Sequence, residues 1–118
     1  MSEDKIADFN KNELWIIENT LEERYRRKME TQLADSELRL NPHSSTLTPC
    51  PTLFWSDGDA NFVIVKIGDG RYRCQFFYRV HQQFGTGIDE YQDLAECMVS
   101  LLQVQADHHA KQSTAQMP

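Results

Sequence analysis

From residue 12 onward the chain keeps a helical beat. Leu14, Ile17, Leu21, Tyr25, Met29 and Leu33 follow one another at spacings of three, four, four, four and four, which places one apolar stripe on a helix and predicts α-structure over residues 12–34. At 1.5 Å per residue such a helix is about 34 Å long and crosses a whole small domain. Asn12 is the expected N-cap, with Glu13 and Glu18 near the positive end of the helix dipole and Arg26, Arg27 and Lys28 near the negative end. Glu22 with Arg26 and Glu23 with Arg27 have the spacing of stabilising i,i+4 pairs. Residues 1–11 are polar apart from Ile6, Ala7 and Phe9 and read as an arm.

The beat then changes. Asp35-Ser36 breaks the stripe, and residues 41–51 hold three prolines among serines and threonines, which predicts a loop. Leu38 and Leu40 before it mark a short edge strand. Leu53-Phe54-Trp55 opens a β-rich region interrupted by the turn Ser56-Asp57-Gly58-Asp59, and residues 61–67 and 71–80 form two further strands around Gly68-Asp69-Gly70. Glycines that accept positive φ on both sides of an aspartate predict a tight hairpin there. Asp89 and Gln92 fit a capping box ahead of Leu94, Cys97, Met98, Leu101 and Leu102, so a second helix is expected to end near residue 106. Residues 107–118 lack an apolar face and read as a disordered tail. The expected organisation is an arm over 1–11, one α+β domain over 12–106 and a tail. Its order is αβββα, with a three- to four-stranded antiparallel sheet, a long N-terminal helix and a shorter C-terminal one.

Composition narrows the setting. A chain of 118 residues, 40% hydrophobic and 25% charged, supports one ordinary globular core. No run approaches the ~18 apolar residues of a membrane span, and Met1-Ser2-Glu3-Asp4-Lys5 lacks a signal-peptide core, so a cytoplasmic protein without a membrane partner is expected. Three cysteines, Cys50, Cys74 and Cys97, suit neither a disulfide framework nor a zinc ribbon, and reduced thiols filling the core are expected. The formal charge of −6 opposes general nucleic-acid binding. Residues 62–81, however, carry Lys66, Arg71, Arg73 and Arg79 against Asp69 alone, a local +3.

Strand alternation gives that charge a direction. On residues 71–80 it sends Tyr72, Cys74, Phe76, Tyr78 and Val80 inward and Arg71, Arg73, Gln75, Phe77 and Arg79 outward. On the preceding strand Val63, Val65 and Ile67 form the matching inward set, leaving Phe62, Ile64 and Lys66 outward with the arginines. A mixed aromatic, aliphatic and arginine surface is the composition of an interface. Three readings compete for it. The face is covered by the N-terminal helix, whose glutamates pair the arginines; or it binds a second copy or a protein partner; or it rests on nucleic acid, with the arginines on phosphates or guanine edges and Phe77 stacking.

Other chemistry is thin. Asp57-Gly58-Asp59-Ala60-Asn61 opens like a calcium loop but has Phe62 where glycine is needed and Gly68 where a bidentate acid is needed. His108 and His109, adjacent in the tail, point about 100° apart on a helix and make poor joint ligands. Cys74 and His81 fall on opposite sides of a strand, while Gly85-Thr86-Gly87 lacks the third glycine of a phosphate-binding fingerprint. A small-molecule site or weak enzyme at His81 with Asp89 or Glu90 around the 85–89 loop is a further alternative. The expectation is therefore a small acidic, non-enzymatic protein with no cofactor, metal or catalytic residue. It acts as a homodimer or adaptor through Phe62, Ile64, Arg71, Arg73, Phe77 and Arg79, with nucleic-acid binding by the same face as the alternative.

Overall fold

A computed structural model describes residues 6–39, 43, 45–78 and 83–116. Helix α1 (Lys11–Tyr25) leads into strands β1 (Gln32–Leu38), β2 (Thr48–Asp57), β3 (Ala60–Gly68), β4 (Arg71–Phe77) and β5 (Gln83–Phe84), and helix α2 (Leu94–Gln116) closes the chain. The strands form one antiparallel sheet in the order β1-β2-β3-β4-β5, each beside its sequence neighbour. Ile17 and Leu21 of α1 and Leu94, Cys97, Met98, Leu101 and Leu102 of α2 bury one sheet face with Leu53, Trp55, Phe62, Ile64, Tyr72 and Phe76. This is the expected α+β architecture. Its sheet gains a fifth strand of two residues.

The first helix is shorter than its stripe. Asn10, not Asn12, caps it: the Asn10 side chain accepts from the Glu13 N–H at 2.8 Å, and Glu13 Oε1 accepts from the Asn10 N–H at 2.8 Å. At the other end Arg26 takes φ 60° and its N–H closes on the Glu22 carbonyl at 2.8 Å. A left-handed residue there ends the helix, and an arginine gives no glycine signal of it. The expected Glu22–Arg26 and Glu23–Arg27 pairs are not formed: Arg26 has left the helix, and Arg27 reaches Asp57 at 3.8 Å. Met29 is buried beyond the helix, whereas Leu33 sits on β1 at 62% exposure. β1 is an edge strand in which Asp35 and Glu37 stand exposed, charges of the kind that discourage unwanted strand pairing.

One residue decides which way β3 faces. Across the Gly68-Asp69-Gly70 hairpin, Gly68 pairs with Arg71, but the next pair is Lys66 with Tyr72, so Ile67 is an extra residue in the ladder. Without that bulge Val63 and Val65 would share a face with Phe76 and Cys74, as strand alternation predicts. With it, Phe62 pairs with Phe76 and Ile64 with Cys74, and both are 0% exposed. A one-residue slip exchanges the two faces of a strand. Phe62, Ile64 and Lys66 are therefore core positions, while Val63 and Val65 lie on the opposite face. The β4 alternation stands as expected through Tyr78, with Arg71 and Arg73 outward; Arg79 and Val80 lie outside the described residues.

The second helix is capped four residues later than expected. Asp93 supplies the capping oxygen, accepting from the Ala95 N–H at 2.9 Å. Asp89 is too early because Tyr91 is engaged elsewhere: its backbone exchanges two hydrogen bonds, 2.9 and 2.8 Å, with Tyr72 of β4. The helix continues through Gln116, past the expected end near 106. Aromatic packing sets the core beneath it, with Trp55 and Phe62 stacked at 5.0 Å and Phe76 against Phe84 at 5.2 Å. Each large apolar side chain so buried contributes about 1.5–3 kcal/mol before entropy is counted.

Candidate functional site at the uncovered sheet face

Both helices lie on one side of the sheet, and alternation leaves the other side to a second set of residues. Register aligns them in rows: Thr52, Val65 and Arg73; Phe54, Val63 and Gln75; Ser56, Asn61 and Phe77. At one end Cys50, Val65 and Ile67 form a small buried cluster with Ile6, Leu38 and Val63 packed against it. Towards the β2–β3 turn Phe54, Val63, Gln75 and Phe77 are half-buried, and the rings of Phe54 and Phe77 lie 6.5 Å apart across β3.

Thr52, Ser56 and Asn61 of this face bond within the sheet. Asn61 Nδ2 donates to the Phe77 carbonyl at 3.3 Å and Asn61 Oδ1 accepts from Ser56 Oγ at 2.8 Å. Thr52 Oγ1 donates to the Cys50 carbonyl at 3.0 Å. Arg71 is engaged as well, forming a two-pronged pair with Glu90 at 2.8 Å on each prong, which raises the affinity of its guanidinium for its proton and lowers the Glu90 carboxyl. Arg73 is exposed and makes no ion pair among the described residues. A strip of aromatic and aliphatic side chains with one unengaged cation is what remains for a partner.

The opposite face carries the charges that alternation placed outside. Lys66 is 3% exposed and Glu13 is 5% exposed. Lys66 Nζ donates to Glu13 Oε1 at 2.9 Å and to the Asp8 carbonyl at 3.1 Å, and the Tyr72 hydroxyl donates a short hydrogen bond to Glu13 Oε2. Burial alone would raise the Glu13 carboxyl, but the bonds from Tyr72, the Asn10 N–H and Lys66 together hold it below its ordinary value. Burial and the adjacent carboxylate push the Tyr72 hydroxyl up. One glutamate thus caps α1, neutralises a β3 lysine and accepts from a β4 tyrosine. It fastens the start of α1 to the middle of the sheet.

Of the expected site residues, Arg71, Arg73 and Phe77 share the uncovered face, while Phe62 and Ile64 do not. Arg79 and His81 lie outside the described residues. The 85–89 loop is occupied by its own contacts, since Thr86 Oγ1 accepts from the Tyr91 hydroxyl at 2.6 Å, and Glu90 is committed to Arg71. Residues 57–61, which resemble a calcium loop at their opening, form the β2–β3 turn, with Gly58 at φ 60°. His108 is not a solvated tail residue: its ring lies 4.3 Å from Phe84 and 5.5 Å from Tyr78. A hollow of about 360 Å³ opens beside β1, lined by Asp8, Phe9, Leu33, Ala34, Asp35, Pro51 and Thr52. Sequence reasoning missed Phe54, Val63 and Val65; the Phe54-to-Phe77 relation depends on a register that the bulge sets. Among the described residues no helix is long and apolar enough to cross a membrane. Comparison with protein-family models, curated proteins and solved structures returns no match to this chain.

Proposed function

We propose that this protein acts by association, with two copies packing their uncovered sheet faces together around Phe54, Val63 and Phe77. The half-buried apolar strip on a sheet face that neither α1 nor α2 covers carries this reading. Aromatic and aliphatic residues on alternate positions, with their polar neighbours already hydrogen-bonded sideways, resemble the inner layer of a β-sandwich. A two-fold axis brings the same patch of each copy together and closes the assembly at a dimer. Arg73 sits on the β4 side of the strip and supplies a polar rim. The nucleic-acid alternative keeps Phe77 on this face as its stacking ring but draws less from the geometry, because Arg71 is bound to Glu90.

Light scattering behind size-exclusion chromatography, run from low to high micromolar chain concentration, tests the reading. The expected outcome is a mass that climbs to twice the chain mass. A mass that stays at one chain at the highest concentration overturns it.

A further inference from the structure

Three thiols occupy three environments. Cys50 is 0% exposed on the far side of the sheet, Cys97 is 0% exposed in the first turns of α2, and Cys74 is partly exposed on the helix-covered side of β4. The fold brings the last two together. Cys74 packs against the cluster that contains Cys97, and two backbone hydrogen bonds between Tyr72 and Tyr91 pin the approach to α2 onto β4 two residues before Cys74. The two thiols lie close enough across that seam for each to shift the proton affinity of the other. We propose that Cys74 and Cys97 are an oxidisable dithiol, a site that takes a hydroperoxide at Cys74 and closes to a disulfide joining β4 to α2.

The division of labour follows from exposure and proton affinity. The neighbouring Cys97 thiol lowers the proton affinity of the partly exposed Cys74, whereas the Cys74 sulfur and burial together raise that of Cys97. Burial likewise raises Cys50, which has no second thiol beside it. The attacking group is therefore the reachable Cys74 thiolate. Its sulfur displaces one oxygen of hydrogen peroxide, breaking the O–O bond, so that the sulfur is oxidised to a sulfenic acid and the other oxygen departs as hydroxide, which takes up a proton. Cys97 then loses its proton to the leaving hydroxyl as its sulfur attacks Cys74, the S–O bond breaks, the S–S bond forms and water leaves. Two thiols and one peroxide become one disulfide and two waters. The proposal does not depend on the association proposed above, because both sulfurs lie on the helix-covered side.

Full-length reduced protein treated with hydrogen peroxide, quenched with N-ethylmaleimide under denaturing conditions and weighed intact tests it. The expected product has lost two hydrogens, takes up a single maleimide at Cys50, and yields a linked Cys74–Cys97 peptide pair that dithiothreitol restores. Cys97→Ser is expected to convert Cys74 instead to the sulfinic acid, because the resolving thiol is gone, and Cys74→Ser to leave the other two thiols unoxidised. In the native fold Cys74 should also alkylate at least roughly tenfold faster than Cys50 or Cys97. Three wild-type results would overturn the proposal, whatever the variants do: oxygen gained at Cys74 without loss of hydrogens, a link that includes Cys50, or three thiols still open to maleimide.

Discussion

The two faces of one sheet are built by opposite means. The helix-covered face is filled with large rings and, at the end where α1 begins, with a buried ion cluster that ties Asn10, Glu13, Lys66 and Tyr72 together. The uncovered face has smaller side chains, two half-buried phenylalanines and polar groups bonded along the sheet. Stability is concentrated on the first face, and the second is left able to exchange water for a partner. Neighbouring residues of a single strand, Phe62 and Val63, serve these two ends, and a bulge at Ile67 assigns them.

Breaking the covered face should cost most. Phe62→Ala leaves a cavity under both helices and is expected to lower unfolding free energy in urea by about 3–5 kcal/mol. Val63→Ala, one position along, is expected to cost about 1 kcal/mol or less, because Val63 is itself only half-buried and loses two methyl groups at the edge of its cluster. Equal losses for the two would mean that the faces are not distinct.

The ion cluster gives the next effect. Lys66→Met strands the Glu13 carboxylate without its cation, and breaking such a pair from one side costs roughly 3–5 kcal/mol near neutral pH, an upper range that the Tyr72 and Asn10 bonds should temper. The pH dependence has a definite sign. The Glu13 carboxyl is held below its ordinary 4.5 in the folded state, so its contribution is complete above about pH 4.5 and is lost as pH falls through the lowered value. Tyr72 is held above its ordinary 10.0, so the folded state loses stability again as pH rises past 10. Urea titrations across pH should show the acid decline in the wild type and a flatter one in Glu13→Gln. An acid limb of unchanged slope in that variant would remove Glu13 as its source. Arg71→Ala gives the smallest effect, within about 0.5 kcal/mol, since its pair with Glu90 is exposed to water and salt.

The same contrast explains what could be read from the amino acids alone. The helix over Leu14, Ile17 and Leu21 was legible because its periodicity and its core contacts coincide. Tyr25, Met29 and Leu33 continue the spacing for separate reasons: one ends the helix, one is buried in the connection and one lies on β1. No glycine marks the stop at Arg26. On β4 alternation was decisive, because one parity gathers Tyr72, Phe76 and Tyr78 while the other sets Arg71 and Arg73 beside Phe77. On β3 both parities are apolar, so the pattern could not choose between them, and Lys66, expected outward, is held inside by Glu13. That partnership spans 53 residues, as the Cys74–Cys97 approach spans 23, and neither has a local signature. Asp93 opens Asp-Leu-Ala-Glu, as good a cap sequence as Asp89, and the Tyr72–Tyr91 bridge decides between them.

Surface hydrophobicity offers a built-in control for the association. Trp15 on α1 is 63% exposed on the far side of the molecule from Phe77, so one variant can load charge onto each surface without entering the core. Sedimentation equilibrium of the wild type, Phe77→Glu and Trp15→Glu at matched concentrations compares them directly. The expected result is a two-copy species for the wild type and Trp15→Glu, and a single copy for Phe77→Glu. A single copy for Trp15→Glu alongside an unchanged Phe77→Glu would place the contact on the helices and contradict the role given to the open sheet.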